Sequence, residues 1–193
     1  MKWHWFFLTI AATTAITLPI PALSEDCNVE TWNQTLKYQR KVDHWYNEQA
    51  TKFNVFLKKH RHQVFLHQEF NTQELEMFWR PQKRSLHKII SQQIDASREV
   101  IRVLDYQSDR ISEESRRVKS AQQRWYRISK QCKKDNQLAN AATSLGYVKS
   151  NKALKADVSK LLSKMEQIKA IYQREVDILT WTKDEDEHEP QRP

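Results

Sequence analysis

Two cysteines, a cluster of histidines and a run of cations among aromatics are the residues of this chain best suited to chemistry. Cys27 and Cys132 are too far apart for a CxxC redox motif or a metal knuckle. In an exported protein an even cysteine count argues for a disulfide, because oxidising compartments form and keep them. Cys27 has a second reading, as the lipidated residue of a lipoprotein. Such a cysteine follows small residues at the end of an apolar run, whereas Glu25 and Asp26 precede this one. The spacing therefore predicts an intrachain Cys27–Cys132 bond.

Four of the seven histidines, His60, His62, His67 and His87, fall in one region. His60 and His67 share a helical face and His62 does not join them. Zinc takes three or four converging ligands, and no HExxH motif or Cys/His cluster occurs, so neither a metal nor a cofactor is expected. The same region, "FLKKHRHQVFLHQEFNTQELEMFWRPQKRSLHK" (56–88), holds Lys58, Lys59, Arg61, Arg80, Lys83 and Arg84 together with Phe78 and Trp79. Cations interleaved with aromatics suit a protein interface or a polyanion. We take these eight residues as the candidate partner-binding set. The competing reading is that the aromatics close the end of a bundle core.

Catalytic signatures are missing. There is no GxSxG, no P-loop and only one glycine, Gly146, to shape a sharp loop around a nucleophile. Glu113-Glu114 and the Glu175/Asp177 pair have ordinary surface spacings. "RWYR" (124–127) contains Trp125, which the spacing assigns to a core. A non-enzymatic role is expected.

The elements that position these residues follow from composition and period. A single glycine speaks against hairpin-rich β structure, and the residues that dominate are strong helix formers. Ile90, Ile94, Ser97, Ile101, Leu104, Ser108, Ile111, Ser115, Val118, Gln122, Trp125, Ser129 and Cys132 alternate steps of four and three, an unbroken heptad seam. Val29, Trp32, Leu36, Tyr46, Ala50, Phe53, Leu57 and Val64 repeat the pattern, interrupted at Gln39, Asp43 and His60. Leu154, Val158, Leu161, Met165, Ile168, Tyr172 and Leu179 repeat it again, with Glu175 out of place. Asn71 through Glu74 reads as a capping box, Pro81 stops what precedes it, and Lys133-Lys134-Asp135-Asn136 reads as a helix end. Ser144-Leu145-Gly146 reads as a loop or a fresh start.

The spacing predicts helices over about 28–69, 72–79, 84–134 and 147–182. The expected fold is all-α, an elongated three-helix bundle with coiled-coil-like packing: a long antiparallel hairpin plus a third helix running back along it. Register can be counted. If Cys27 faces Cys132 in antiparallel helices, residue 69 faces residue 90, where the second seam begins. Residues 70–89 then cap the far end.

Targeting and charge supply the functional expectation. Lys2 and an apolar stretch precede Ala22-Leu23-Ser24, the order of a secretory signal peptide. We expect residues 1–24 to be removed after Ser24, residues 25–182 to form the bundle, and 183–193 to be an acidic disordered tail. That places the protein in the periplasm or outside the cell. The whole chain carries +8. Residues 25–182 hold 29 basic against 19 acidic side chains, while "KDEDEHEPQRP" (183–193) holds five acids and two bases. An exported, non-enzymatic helical module of a bacterial envelope fits best, binding a protein as chaperone, adaptor or toxin-neutralising immunity-type partner. The alternative is a basic rod on an anionic envelope surface of lipid, lipopolysaccharide or cell-wall polymer. Export disfavours nucleic acid. Oligomeric state is left open by the sequence.

Overall fold

The computed structural model of the chain describes residues 27–188; the expected signal peptide and the end of the tail lie outside them. Helices α1 (Val29–His60), α2 (Leu66–Glu69), α3 (Thr72–Trp79), α4 (Arg84–Glu114), α5 (Arg116–Lys134) and α6 (Leu138–His188) follow in order, with a single 3-10 turn at Pro81–Lys83. Among the described residues there is no strand. The protein is an all-α bundle: α1 runs one way, α4 and α5 return as one rod, and α6 runs back against them.

Each boundary has a local cause. Asn28 caps α1, its side-chain oxygen accepting from the Thr31 amide at 2.8 Å. Asn71 and Glu74 form the expected reciprocal capping box on α3, at 3.0 and 2.8 Å. Pro81 opens the 3-10 turn, where its missing N–H costs nothing. The α4–α5 rod is interrupted only at Ser115, whose hydroxyl donates to the Ser112 carbonyl at 2.6 Å. Such back-bonding bends a helix without ending it. After α5, Asn136 takes a left-handed conformation (φ 58°). The Gln137 amide then reaches the Cys132 carbonyl at 2.8 Å and the Asn136 amide reaches Lys133 at 3.2 Å. That is a Schellman stop with asparagine in glycine's usual place.

The α4–α5 seam is as its period predicts. None of its thirteen positions is exposed, and Trp125 and Cys132 are fully buried. The disulfide joins Cys27 to Cys132 with Cα atoms 4.8 Å apart. Near the far end, beyond the end of α1, the Gln93 side chain donates to the Val64 carbonyl at 3.1 Å, close to but not at the counted register, which pairs position 64 with 95.

Three expectations are corrected. The first helix ends at His60, not 69. No proline or glycine stops it; instead the chain turns inward to bury Phe65, whose ring meets Tyr172 edge-on at 5.0 Å. The third helix starts at Leu138, not 147, and continues to His188. Gly146 is therefore a mid-helix residue rather than a loop. Glu175 is not a surface acid: it is fully buried, as set out below. In α1 the buried face is also shifted, since Val42 and Trp45 are interior while Asp43 is exposed. α1 packs against both α5 and α6, and the two contacts together cover a different stripe from a two-helix seam.

Two buried polar layers set how the helices align. Near the disulfide, Gln39 of α1 accepts from the Trp125 indole N–H of α5 at 3.0 Å and from the Asn151 amide of α6 at 2.7 Å. The Gln39 amide in turn donates to Asn151 at 3.2 Å and Asp43 at 2.8 Å. Sliding any of the three helices by a turn strands buried amides, so this layer specifies register at little net cost. Trp125 is held between Trp32, edge-on at 5.1 Å, and Tyr147, stacked at 4.2 Å.

Candidate functional site

The second polar layer builds the cap that carries the candidate residues. Glu175 projects from α6 beneath the α1–α2 turn. Its oxygens accept from the backbone amides of Leu66 at 2.9 Å and His67 at 3.0 Å, from His67 Nδ1 at 2.5 Å, and from the Gln93 side chain at 3.0 Å. A charged residue breaking an otherwise clean seam is thus the clamp that holds the turn shut. Buried acids persist only where such donors satisfy them.

Around the clamp lies an aromatic cluster. His60 sits 5.8 Å from Phe65 and 5.5 Å from Tyr172, ring centre to ring centre, and 3.3 Å from the Tyr172 hydroxyl. Burial lowers the His60 pKa from 6.5 and raises that of the Tyr172 phenol. Both groups are held neutral by their surroundings. The histidines have separate duties: His60 on Tyr172, His67 on Glu175, and His87 with its Nε2 3.1 Å from the Arg80 carbonyl. Among the described residues no three His, Cys, Asp or Glu side chains converge to hold a metal.

The eight candidate residues divide. Trp79 is buried, 5% exposed, and its indole N–H donates to Thr182 of α6 at 3.3 Å. It belongs to the core beside Leu75, Ile90, Ile94 and Leu179. For Trp79 the reading that aromatics close the bundle end is the right one. Leu75 and Trp79, four apart in a short helix, were the available signal. Phe78 is half-buried, edge-on to Phe70 at 5.0 Å, with Lys83 Nζ 5.4 Å above its ring. Arg80, Lys83 and Arg84 are exposed around the 3-10 turn; Lys58, Lys59 and Arg61 are exposed at the C-terminal turn of α1.

These six cations share a property that sequence alone did not reveal. None takes part in an ion pair among the described residues. On the shaft pairing is mixed: Glu48–Lys52, Glu99–Arg102, Arg110–Glu114, Asp157–Lys160 and Asp105–Lys169–Glu166 pair, while exposed lysines such as Lys119, Lys149 and Lys155 do not. Of the three acids in the span 58–88, Glu74 is occupied in the capping box. The cap is therefore an uncompensated basic surface edged with Phe70, Met77 and Phe78. No helix among the described residues is long and apolar enough to cross a membrane.

Comparison with known proteins adds nothing to this description: no family model, no curated protein and no solved structure matches the chain.

Proposed function

We propose that the protein is a non-enzymatic binding module of a bacterial envelope whose basic cap docks on an acidic surface of a protein partner. The observation that supports this reading most is the clustering of unpaired cations with apolar side chains at the cap. Six exposed cations without an ion pair among the described residues gather at one end of the bundle beside Phe70 and Phe78, whereas on the shaft unpaired lysines such as Lys119, Lys149 and Lys155 are interspersed with paired cations such as Lys52, Arg102 and Lys169. Unmatched charge steers association and selects partners, and the adjoining Phe70 and Phe78 supply area that can be desolvated. The disulfide and the apolar, Lys2-led N-terminus support an oxidising, extracytoplasmic setting.

A second reading rests on the excess of 29 bases over 19 acids in residues 25–182. Spread charge of that kind suits an anionic lipid or polymer surface better than a single protein site. Capture from an envelope extract separates the two. The full chain and a variant with all six cap cations changed to Gln are compared. The proposal expects a discrete protein held by the first, lost by the second, and eluted as salt is raised. Co-sedimentation of both forms equally with anionic vesicles, and no captured protein, would favour the second reading. Turnover of a defined substrate would overturn both.

A further inference from the structure

Away from the cap cations, α4 and α6 enclose an open groove of about 570 Å³. Gln173, Asp177, Thr180 and Trp181 of α6 line it from one side, and Arg98 and Ile101 of α4 from the other. Two features set it apart from an ordinary interhelical crease. Trp181 is 49% exposed, a large indole left beside solvent although every neighbouring seam position is covered. The Gln173 amide donates to Asp177 at 2.8 Å, so a carboxamide and a carboxylate are already fixed side by side. Thr180 Oγ1 is buried and has no hydrogen-bond partner among the described residues. Its oxygen lies beneath the groove surface and is not itself offered to a ligand.

The chemistry selects a ligand. Among the described residues Arg98 is the only cation lining the groove; it lies across it from Asp177 and has Asp95 3.8 Å away. Charge is balanced or slightly acidic, which disfavours an anion. The groove offers one flat apolar platform, an Ile101 lining, and planar amide, carboxylate and guanidinium groups that pair with adjacent hydroxyls. A pyranose presents the complement: a flat face of C–H groups and a rim of hydroxyls. The volume falls within the roughly 300–1,000 Å³ of small-molecule sites. We propose that this groove binds a neutral oligosaccharide, with the sugar stacked on Trp181 and its hydroxyls on Asp177, Gln173 and Arg98. None of the six cap cations lines the groove, and the proposal does not depend on the function proposed above.

The test uses the full chain titrated with cellotriose and with triacetylchitotriose, observed through tryptophan indole N–H resonances. Trp181→Phe assigns the Trp181 signal. The proposal expects that signal to move on titration, with an affinity of roughly millimolar, as suits a few open-groove contacts. Trp181→Ala and Asp177→Asn should each weaken binding about tenfold. The six-Gln cap variant should bind the sugars as the parent does. Circular dichroism melting checks that each variant is folded; Trp181 and Asp177 are exposed enough for removal to be tolerated. Two results would overturn the proposal: no movement of the Trp181 signal up to about 20 mM of either sugar, or equal binding by Trp181→Ala. Preferential binding of a neutral peptide such as acetyl-trialanine amide would also overturn it, by reassigning the groove to a chain segment.

Discussion

Replacing Glu175 with Ala removes one side chain and strands four donors. They are the amides of Leu66 and His67, the His67 ring and the Gln93 side chain, all within 3.0 Å of its oxygens. An unmet buried donor costs about 1–3 kcal/mol. The Gln93 and His67 side chains can turn towards water, but the two backbone amides are fixed by the turn. Counting these two in full and the others in part gives a loss of about 3–5 kcal/mol, the range seen when one partner of a buried charged network is deleted. For a domain of this size that corresponds to a fall in Tm of roughly 6–20 °C. Urea unfolding followed by tryptophan fluorescence measures the loss. Hydrogen exchange locates it: the Leu66 and His67 amides should lose protection, while those around Gln39 and Trp125 keep theirs. Glu175→Gln retains one accepting oxygen and should cost about half as much. A change below about 0.5 kcal/mol in Glu175→Ala, or loss of protection spread evenly along the rod, would show that Glu175 is not the clamp.

Three further outcomes are expected. Changing Cys132 to Ser opens a loop spanning 105 residues and should cost about 4 kcal/mol, read as a lower urea midpoint with an altered slope. Gly146→Ala should stabilise by about 0.5–1 kcal/mol, because an added Cβ meets nothing within 4 Å and alanine is the better mid-helix residue; a lower Tm would contradict the continuous α6. Burial holds the His60 pKa below 6.5, so the unfolded chain binds a proton there more readily than the folded one. Its contribution is complete above pH 6.5 and fades as pH falls into the window beneath. His60→Phe, which keeps a ring against Phe56, Phe65 and Tyr172, should flatten that part of the stability–pH curve; an unchanged slope would refute the assignment.

What the sequence disclosed depended on whether the cause was local. The α4–α5 seam was legible because its apolar period never breaks, and the capping box at Asn71 because both of its partners lie within three residues. Counting from Cys27 and Cys132 placed the far end only approximately, since paired antiparallel helices advance together but α1 stops at His60 and Val64 meets Gln93 rather than position 95. The end of α1 was hidden because its causes, Phe65 burial on Tyr172 and the Glu175 clamp, come from α6. Gln39 and Glu175 looked like faults in their seams because each is satisfied only by another helix, and Asn151, which meets Gln39, lay outside the counted seam. At the candidate site, the positions of the six cations were plain. That none would find an acid, and that Trp79 would turn inward, required the packed cap. The groove at Trp181 arises from two helices distant in sequence; only the four-residue spacing of Gln173, Asp177 and Trp181 hinted at a shared face.

The central claim is that the charge at the cap forms a site rather than a share of a diffuse surface. Binding of a fluorescent poly-glutamate peptide measures this most directly. The unaltered chain is compared with the six-Gln cap variant and with a shaft variant in which six exposed cations, Lys119, Lys133, Lys149, Lys152, Lys155 and Lys164, are changed to Gln. Net charge is the same in the two variants. The account predicts that the cap variant loses affinity by about tenfold or more at low salt while the shaft variant loses less than about threefold. Equal losses in the two variants would contradict it, leaving only a uniformly basic rod.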